Sequence, residues 1–244
     1  MTTARPARLN GRLPHALNGT VEDGGCRIYM VRHGQTVWNV ERRFRGTIEV
    51  PLNEKGRMDA QHAAQALGVV GLSAVYTSPL SRAREVAEAI ASAAGLPRPV
   101  DDAGLLNIDY GVWHGLTKEE CAERDPIAWQ LYKESPEEAA CPEGEALAHA
   151  ADRVTAALFG IAARHRGHAV AAVSHGAMVR LALLRAGYCT GPEWEVPLDT
   201  GSATVLDVRD RTISVVGVAE KEPAERGTGA LVLGSTPVAA AHSQ

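Results

Sequence analysis

The chain has 244 residues, enough for one large domain or two small ones, and its 45% hydrophobic and 22% charged content is that of an ordinary globular protein. Lys and Arg total 25 against 29 Asp and Glu, a formal net charge of -4, which speaks against a nucleic-acid partner because such proteins carry a cationic surplus. No apolar run approaches the ~20 residues of a membrane-spanning helix. Arg5, Arg8 and Arg12 lead into no apolar stretch, so no secretory signal is read, and the expectation is a cytoplasmic protein without a membrane partner. Cys26, Cys121, Cys141 and Cys189 are scattered without a C-x-x-C pair, which fits reduced thiols better than a zinc site or a disulfide framework.

Residues 1–25 are rich in Gly, Pro, Asn and charge without periodicity, and read as a flexible N-terminal extension. Arg27 to Val31 is a β-rich run entering Arg32-His33-Gly34, the pattern of a buried strand delivering polar groups at its carboxyl end. Asn53 is a good N-cap for a helix whose apolar positions Ala60, Ala63, Ala64 and Leu67 have helical spacing. Ser73 to Ser78 reads as a second strand, and Ser81 to Ala94 as a helix. The segment from Gly115 to Pro142 is a mostly helical excursion with Trp129 and Tyr132 as packing or lid residues. Glu145 to Arg164 is a helix. His168 to Val173 is a buried strand entering Ser174-His175-Gly176, with a helix from Ala177 to Ala186 behind it. Ala203 to Asp207 and Thr212 to Val216 flank a hairpin turn. Residues 223–244 read as a flexible tail, leaving 26–222 as the domain. Strands alternating with helices predict an α/β protein, a three-layer α/β/α sandwich on a mostly parallel mixed sheet.

Three strand ends thus carry polar groups: Arg32-His33, Ser78 leading to Arg82, and Ser174-His175. Ligands of open α/β sheets bind beyond the carboxyl ends of the strands, so these groups can converge there. Arg82 falls in the first turn of a helix, the positive end of its dipole, an arrangement easier to understand if an anion lies between.

Val31-Arg32-His33-Gly34-Gln35-Thr36-Val37-Trp38-Asn39 resembles the signature of the histidine phosphatase superfamily, phosphoglycerate-mutase-like branch. Phe44-Arg45-Gly46, Pro51 to Gly56, Thr77 to Ala83, Leu106 to Gly115, Pro142-Glu143-Gly144-Glu145 and Val173 to Gly176 resemble further motifs of that family in the same order. The resemblance implies that His33 attacks phosphorus and forms a phosphohistidine. Arg32, Arg82 and His175 would surround the transferring phosphoryl group. Asn39, Arg45, Gly46, Asn107 and Ser174 are the expected phosphate or substrate contacts. Neither a cofactor nor a metal is expected.

The pattern departs at the proton donor. The family's Glu is Asn107 here, and an amide is no general acid. Three readings follow. Asp109 supplies the proton; or the substrate carries a good leaving group, such as an anomeric hydroxyl or another phosphate; or activity is weak and the pocket binds a phospho-ligand. Arg45, where many relatives have Gln, adds a cation at the pocket mouth. The short 115–142 span favours a phosphatase acting on a small phosphorylated metabolite over a mutase. The sequence leaves a homodimer open.

Overall fold

The computed structural model describes residues 7–8, 24–189 and 194–218. Its seven-stranded sheet is built from β1 (Ala7–Arg8), β2 (Cys26–Arg32), β3 (Leu72–Thr77), β4 (Val100–Asp101), β5 (Ala169–Ser174), β6 (Ala203–Arg209) and β7 (Thr212–Val218). The strand order is β1-β7-β6-β2-β5-β3-β4, and β6 alone runs against the others. The sheet is therefore mixed and mostly parallel, as the alternation of strands and helices implied.

Seven helices accompany it among the described residues: α1 (Val37–Val40), α2 (Glu54–Leu67), α3 (Ser81–Ala93), α4 (Lys118–Arg124), α5 (Pro126–Glu134), α6 (Leu147–Arg164) and α7 (Gly176–Arg185). The alternation of side chains along β2 divides the core. Tyr29 and Val31 join the cluster holding Ala60, Ala64, Val86 and Ile90 of α2 and α3. Ile28 and Met30 join the one holding Val154, Leu158, Met178 and Leu181 of α6 and α7. Both faces of β2 and β5 are covered, which is why their sequences are continuous apolar runs rather than alternating ones. This is the three-layer sandwich.

Local chemistry sets the element ends. Asn53 caps α2 by accepting from the Gly56 N–H at 2.8 Å. Asp210 and Arg211 both have positive φ, +45° and +64°, as a two-residue hairpin turn requires. Glu145 lies two residues ahead of α6 instead of inside it, and its carboxylate is bound to Arg153 at 2.8 Å. Of the expected N-terminal extension, Ala7–Arg8 pairs in parallel with β7. Residues 1–6 and 9–23 of it, and the expected tail at 223–244, lie outside the described residues. No helix among the described residues is long and apolar enough to cross a membrane.

Candidate active site

Three parallel strands end level with one another. Arg32 pairs with Ser174 and Thr77 with Val173 in register. The His33 N–H donates to the Ser174 carbonyl at 3.0 Å, and the Ser78 N–H to that of Val173 at 2.9 Å. The next residues, His33, Ser78 and His175, are brought together at one edge. The Ser78 hydroxyl and His175 Nε2 are hydrogen-bonded at 2.8 Å, and the two imidazole centroids are 5.2 Å apart. Gly34 is needed here because the loop lies against the start of α2. A Cβ on it would stand 2.3 Å from the Gly56 carbonyl oxygen.

His33 is buried. Its Nδ1 donates to the Gly34 carbonyl at 2.6 Å, which fixes the tautomer with Nε2 unprotonated. Burial, then His175, Arg82, Arg45 and Arg32, hold its pKa well below 6.5. Burial and the same arginines, with Arg153, do likewise for His175, whose Nδ1 has no partner among the described residues.

Both rings open on a cavity of about 380 Å³ whose lining also includes Arg32, Asn39, Arg45 and Asn107. Arg32 donates to the Leu198 carbonyl, and Gly176 leaves it room, since a Cβ there would be 3.2 Å from Arg32 Nε. Burial and repulsion from Arg45 and Arg180 lower its pKa to about 9. Arg45 is half-buried in the cavity wall, and the Nε atoms of both Arg32 and Arg45 are buried without a partner among the described residues. Asn39 Oδ1 accepts from the Thr36 N–H and hydroxyl, each at 2.9 Å, so its NH2 is the end left for a ligand.

Four expected contacts are placed otherwise. Arg82 is fully buried and is not part of the cavity wall. Its guanidinium donates to the Gly46 and Ile48 carbonyls, both at 2.7 Å. Gly46 thus serves as the acceptor that holds Arg82, and also Asn107, whose NH2 donates to the same oxygen at 3.2 Å. Ser174 turns away from the cavity and donates to the Leu105 carbonyl at 2.8 Å, pinning that loop to the end of β5. Asp109 faces a separate, shallower cleft with Glu143, Glu145 and Arg153, and its carboxylate accepts from the Gly111 N–H at 2.9 Å. A turn-capping bond, not the histidine pocket, sets its direction. His114, adjacent to it, accepts from the Thr47 and Tyr110 N–H groups, both at 3.3 Å, and ties two loops together.

Several residues of the cavity wall are not among the expected contacts: Arg180, Tyr110, Arg42, Arg43 and the Lys118–Glu195 pair. The sequence does carry a signal for Arg180. It stands four residues after Gly176 on α7, hence on the same helix face. Trp129 and Tyr132 of the excursion stack with centroids 5.5 Å apart, and Tyr132 reaches the cavity wall. Among the described residues no group of three or more His, Cys, Asp or Glu is arranged to hold a metal ion.

Two buried histidines at the ends of parallel strands, with Arg32, Arg45 and Arg180 around them, form a cationic pocket suited to an anion. The chain belongs to the histidine phosphatase superfamily, branch 1, whose sequence profile matches residues 28–221. It is 37% identical over 193 residues to the metal-independent phosphoserine phosphatase of Arabidopsis thaliana, covering 78% of this chain and 80% of the relative. It is 36% identical over 157 residues to phosphoglycerate mutase-like protein 4 of the same plant, covering 64% and 68% respectively. The fold superimposes on Bacillus stearothermophilus YhfR with a TM-score of 0.72 and 33% identity, covering 80% of this chain and 98% of that one. Family and relatives together support a phosphoric monoester hydrolase of the histidine phosphatase type.

Proposed function

We propose that the protein is a cytoplasmic phosphatase that hydrolyses a small phosphorylated metabolite through a phosphohistidine on His33. One observation carries this reading: the bond from His33 Nδ1 to the Gly34 carbonyl leaves the Nε2 lone pair as the free end of a buried, neutral imidazole in a cationic cavity. Nε2 attacks phosphorus. Arg32, Asn39 and His175 take up charge on the equatorial oxygens. Arg82 acts from behind, by its field and by holding the Gly46 carbonyl. Water then accepts the phosphoryl group and His33 is restored. The relative named a metal-independent phosphoserine phosphatase supports water as acceptor, and a small phosphorylated acid as the kind of substrate. Four buried cysteines without a C-x-x-C spacing suit a reducing compartment.

Incubation with a panel of phosphate monoesters is expected to release inorganic phosphate. It should also leave an acid-labile, base-stable phosphoryl adduct that disappears in His33→Ala. Isomerisation without release would make the protein a mutase. An adduct that persists in His33→Ala would overturn the reading. Arg32→Ala is expected to lose about 3–4 kcal/mol of transition-state stabilisation, measured as kcat/KM.

A further inference from the structure

The cavity is rich in free cations and poor in protons it could give away. Glu195 accepts from Lys118 Nζ through both oxygens, at 2.6 and 2.8 Å. Glu119 is exposed, and its own backbone N–H and the Thr117 hydroxyl hold its carboxyl below the usual range. Burial pushes the Tyr110 phenol up to about 12 and that of Tyr132 well above its ordinary value, so both are weak acids. Asn107 turns its NH2 to the Gly46 carbonyl and leaves Oδ1 buried without a partner, an acceptor and not a donor. Asp109 faces the neighbouring cleft. None of the described residues in the wall is therefore a free neutral acid poised to protonate a departing alkoxide.

Arg45 and Arg180 are the opposite case. Their side chains donate to main-chain carbonyls, of Arg43 at 3.2 Å and of Val196 at 2.7 Å respectively, and among the described residues neither has a carboxylate partner. They line one cavity with Arg32, where the three like charges repel one another. Like charges crowded in a half-buried cavity are costly unless an anion joins them.

We propose that the pocket also hydrolyses phosphoanhydrides, with a second phosphate as leaving group received by Arg45 and Arg180. This rests on the phosphohistidine reading above. His33 Nε2 forms a bond to the terminal phosphorus while the bond from that phosphorus to the bridging oxygen breaks. The electron pair stays on that oxygen, and the leaving phosphate departs as an anion without taking a proton. Water then attacks the phosphohistidine, the N–P pair returns to Nε2, and a water proton passes to a phosphate oxygen. Asn107 Oδ1 accepts a hydrogen bond from that water.

The test compares initial rates on p-nitrophenyl phosphate, phenyl phosphate and inorganic pyrophosphate. Without an acid, the p-nitrophenyl ester is expected to exceed the phenyl ester in kcat/KM by about 100-fold, since the poorer leaving group gains no help from protonation. Pyrophosphate should be turned over faster than phenyl phosphate. Asn107→Glu introduces an acid and is expected to raise the phenyl to p-nitrophenyl ratio by about tenfold or more. Arg45→Ala should lower the pyrophosphate to p-nitrophenyl ratio by about tenfold or more, and serves alone if Asn107→Glu does not fold. Aryl esters cleaved at similar rates, or pyrophosphate slower than phenyl phosphate, would overturn the proposal while leaving the phosphohistidine reading intact. No turnover of p-nitrophenyl phosphate and no His33 adduct would remove both.

Discussion

His33 and His175 face each other with ring centroids 5.2 Å apart, and each is held through one nitrogen by a different oxygen: the Gly34 carbonyl for His33, the Ser78 hydroxyl for His175. Neither ring is charged at neutral pH, because burial and the surrounding arginines disfavour the imidazolium.

The pair makes activity and stability respond differently to acid. With its pKa depressed, His33 stays unprotonated through pH 6.5, so kcat/KM is expected to show no loss centred there. Stability behaves otherwise. Below about 6.5 the unfolded chain binds protons that the folded chain refuses, so unfolding takes up protons and stability falls as pH drops. The slope is up to about 1.4 kcal/mol per pH unit for each histidine, and above 6.5 this contribution is constant. Urea titrations and pH–rate profiles between pH 5.5 and 8 check both halves.

Ser174→Ala separates a structural hydroxyl from a phosphate contact. The Ser174 hydroxyl is fully buried and bonded to the Leu105 carbonyl, which the variant leaves unsatisfied. A loss of about 1–3 kcal/mol in unfolding free energy is expected, with KM changed less than about twofold. A raised KM in a variant of unchanged stability would place the hydroxyl on the substrate instead.

Asp109→Asn is expected to change kcat by less than about threefold. A general acid acting on this leaving group would cost about 100-fold or more when removed. The amide can still accept from the Gly111 N–H, so the turn is kept. Steady-state kinetics on an alkyl phosphate decide it.

Gly46→Ala is expected to be severe. Gly46 has φ +48°, and a Cβ there would lie 2.0 Å from His114 Nε2. Backbone strain alone costs about 1 kcal/mol, and the clash displaces the carbonyl that both Arg82 and Asn107 bind. A fall of about 3 °C or more in melting temperature and about tenfold or more in kcat/KM is expected. Removing the obstructing ring as well, in Gly46→Ala/His114→Ala, should recover part of the activity but not the strain.

Much of the site was legible because strands are rigid and their ends carry their chemistry in local sequence. Arg32-His33-Gly34 and Ser174-His175-Gly176 each follow an apolar run, and parallel pairing of β2 with β5 brings the ends together. The wall of the pocket was legible only in part. The family's motifs mark Arg45 and Asn107, but Arg42, Arg43 and the Lys118–Glu195 pair lie outside them, and nothing local to any of these says that they share the cavity. Asp109 illustrates the limit. It is the carboxyl nearest in sequence to Asn107, two residues along the loop, but a single bond to the Gly111 N–H turns it into the other cleft.

The sequence by itself determined the sandwich, the two histidines and the loss of a carboxyl group at position 107, since periodicity and residue identity are local properties. Tertiary structure alone decided direction and company. It placed Arg82 behind the wall on two carbonyls, turned Ser174 away, and gathered Arg32, Arg45 and Arg180 within reach of mutual repulsion. The physical reason is that hydrogen-bond direction and charge crowding depend on atoms brought together from distant parts of the chain, and only the packed sheet and its loops fix where those atoms stand.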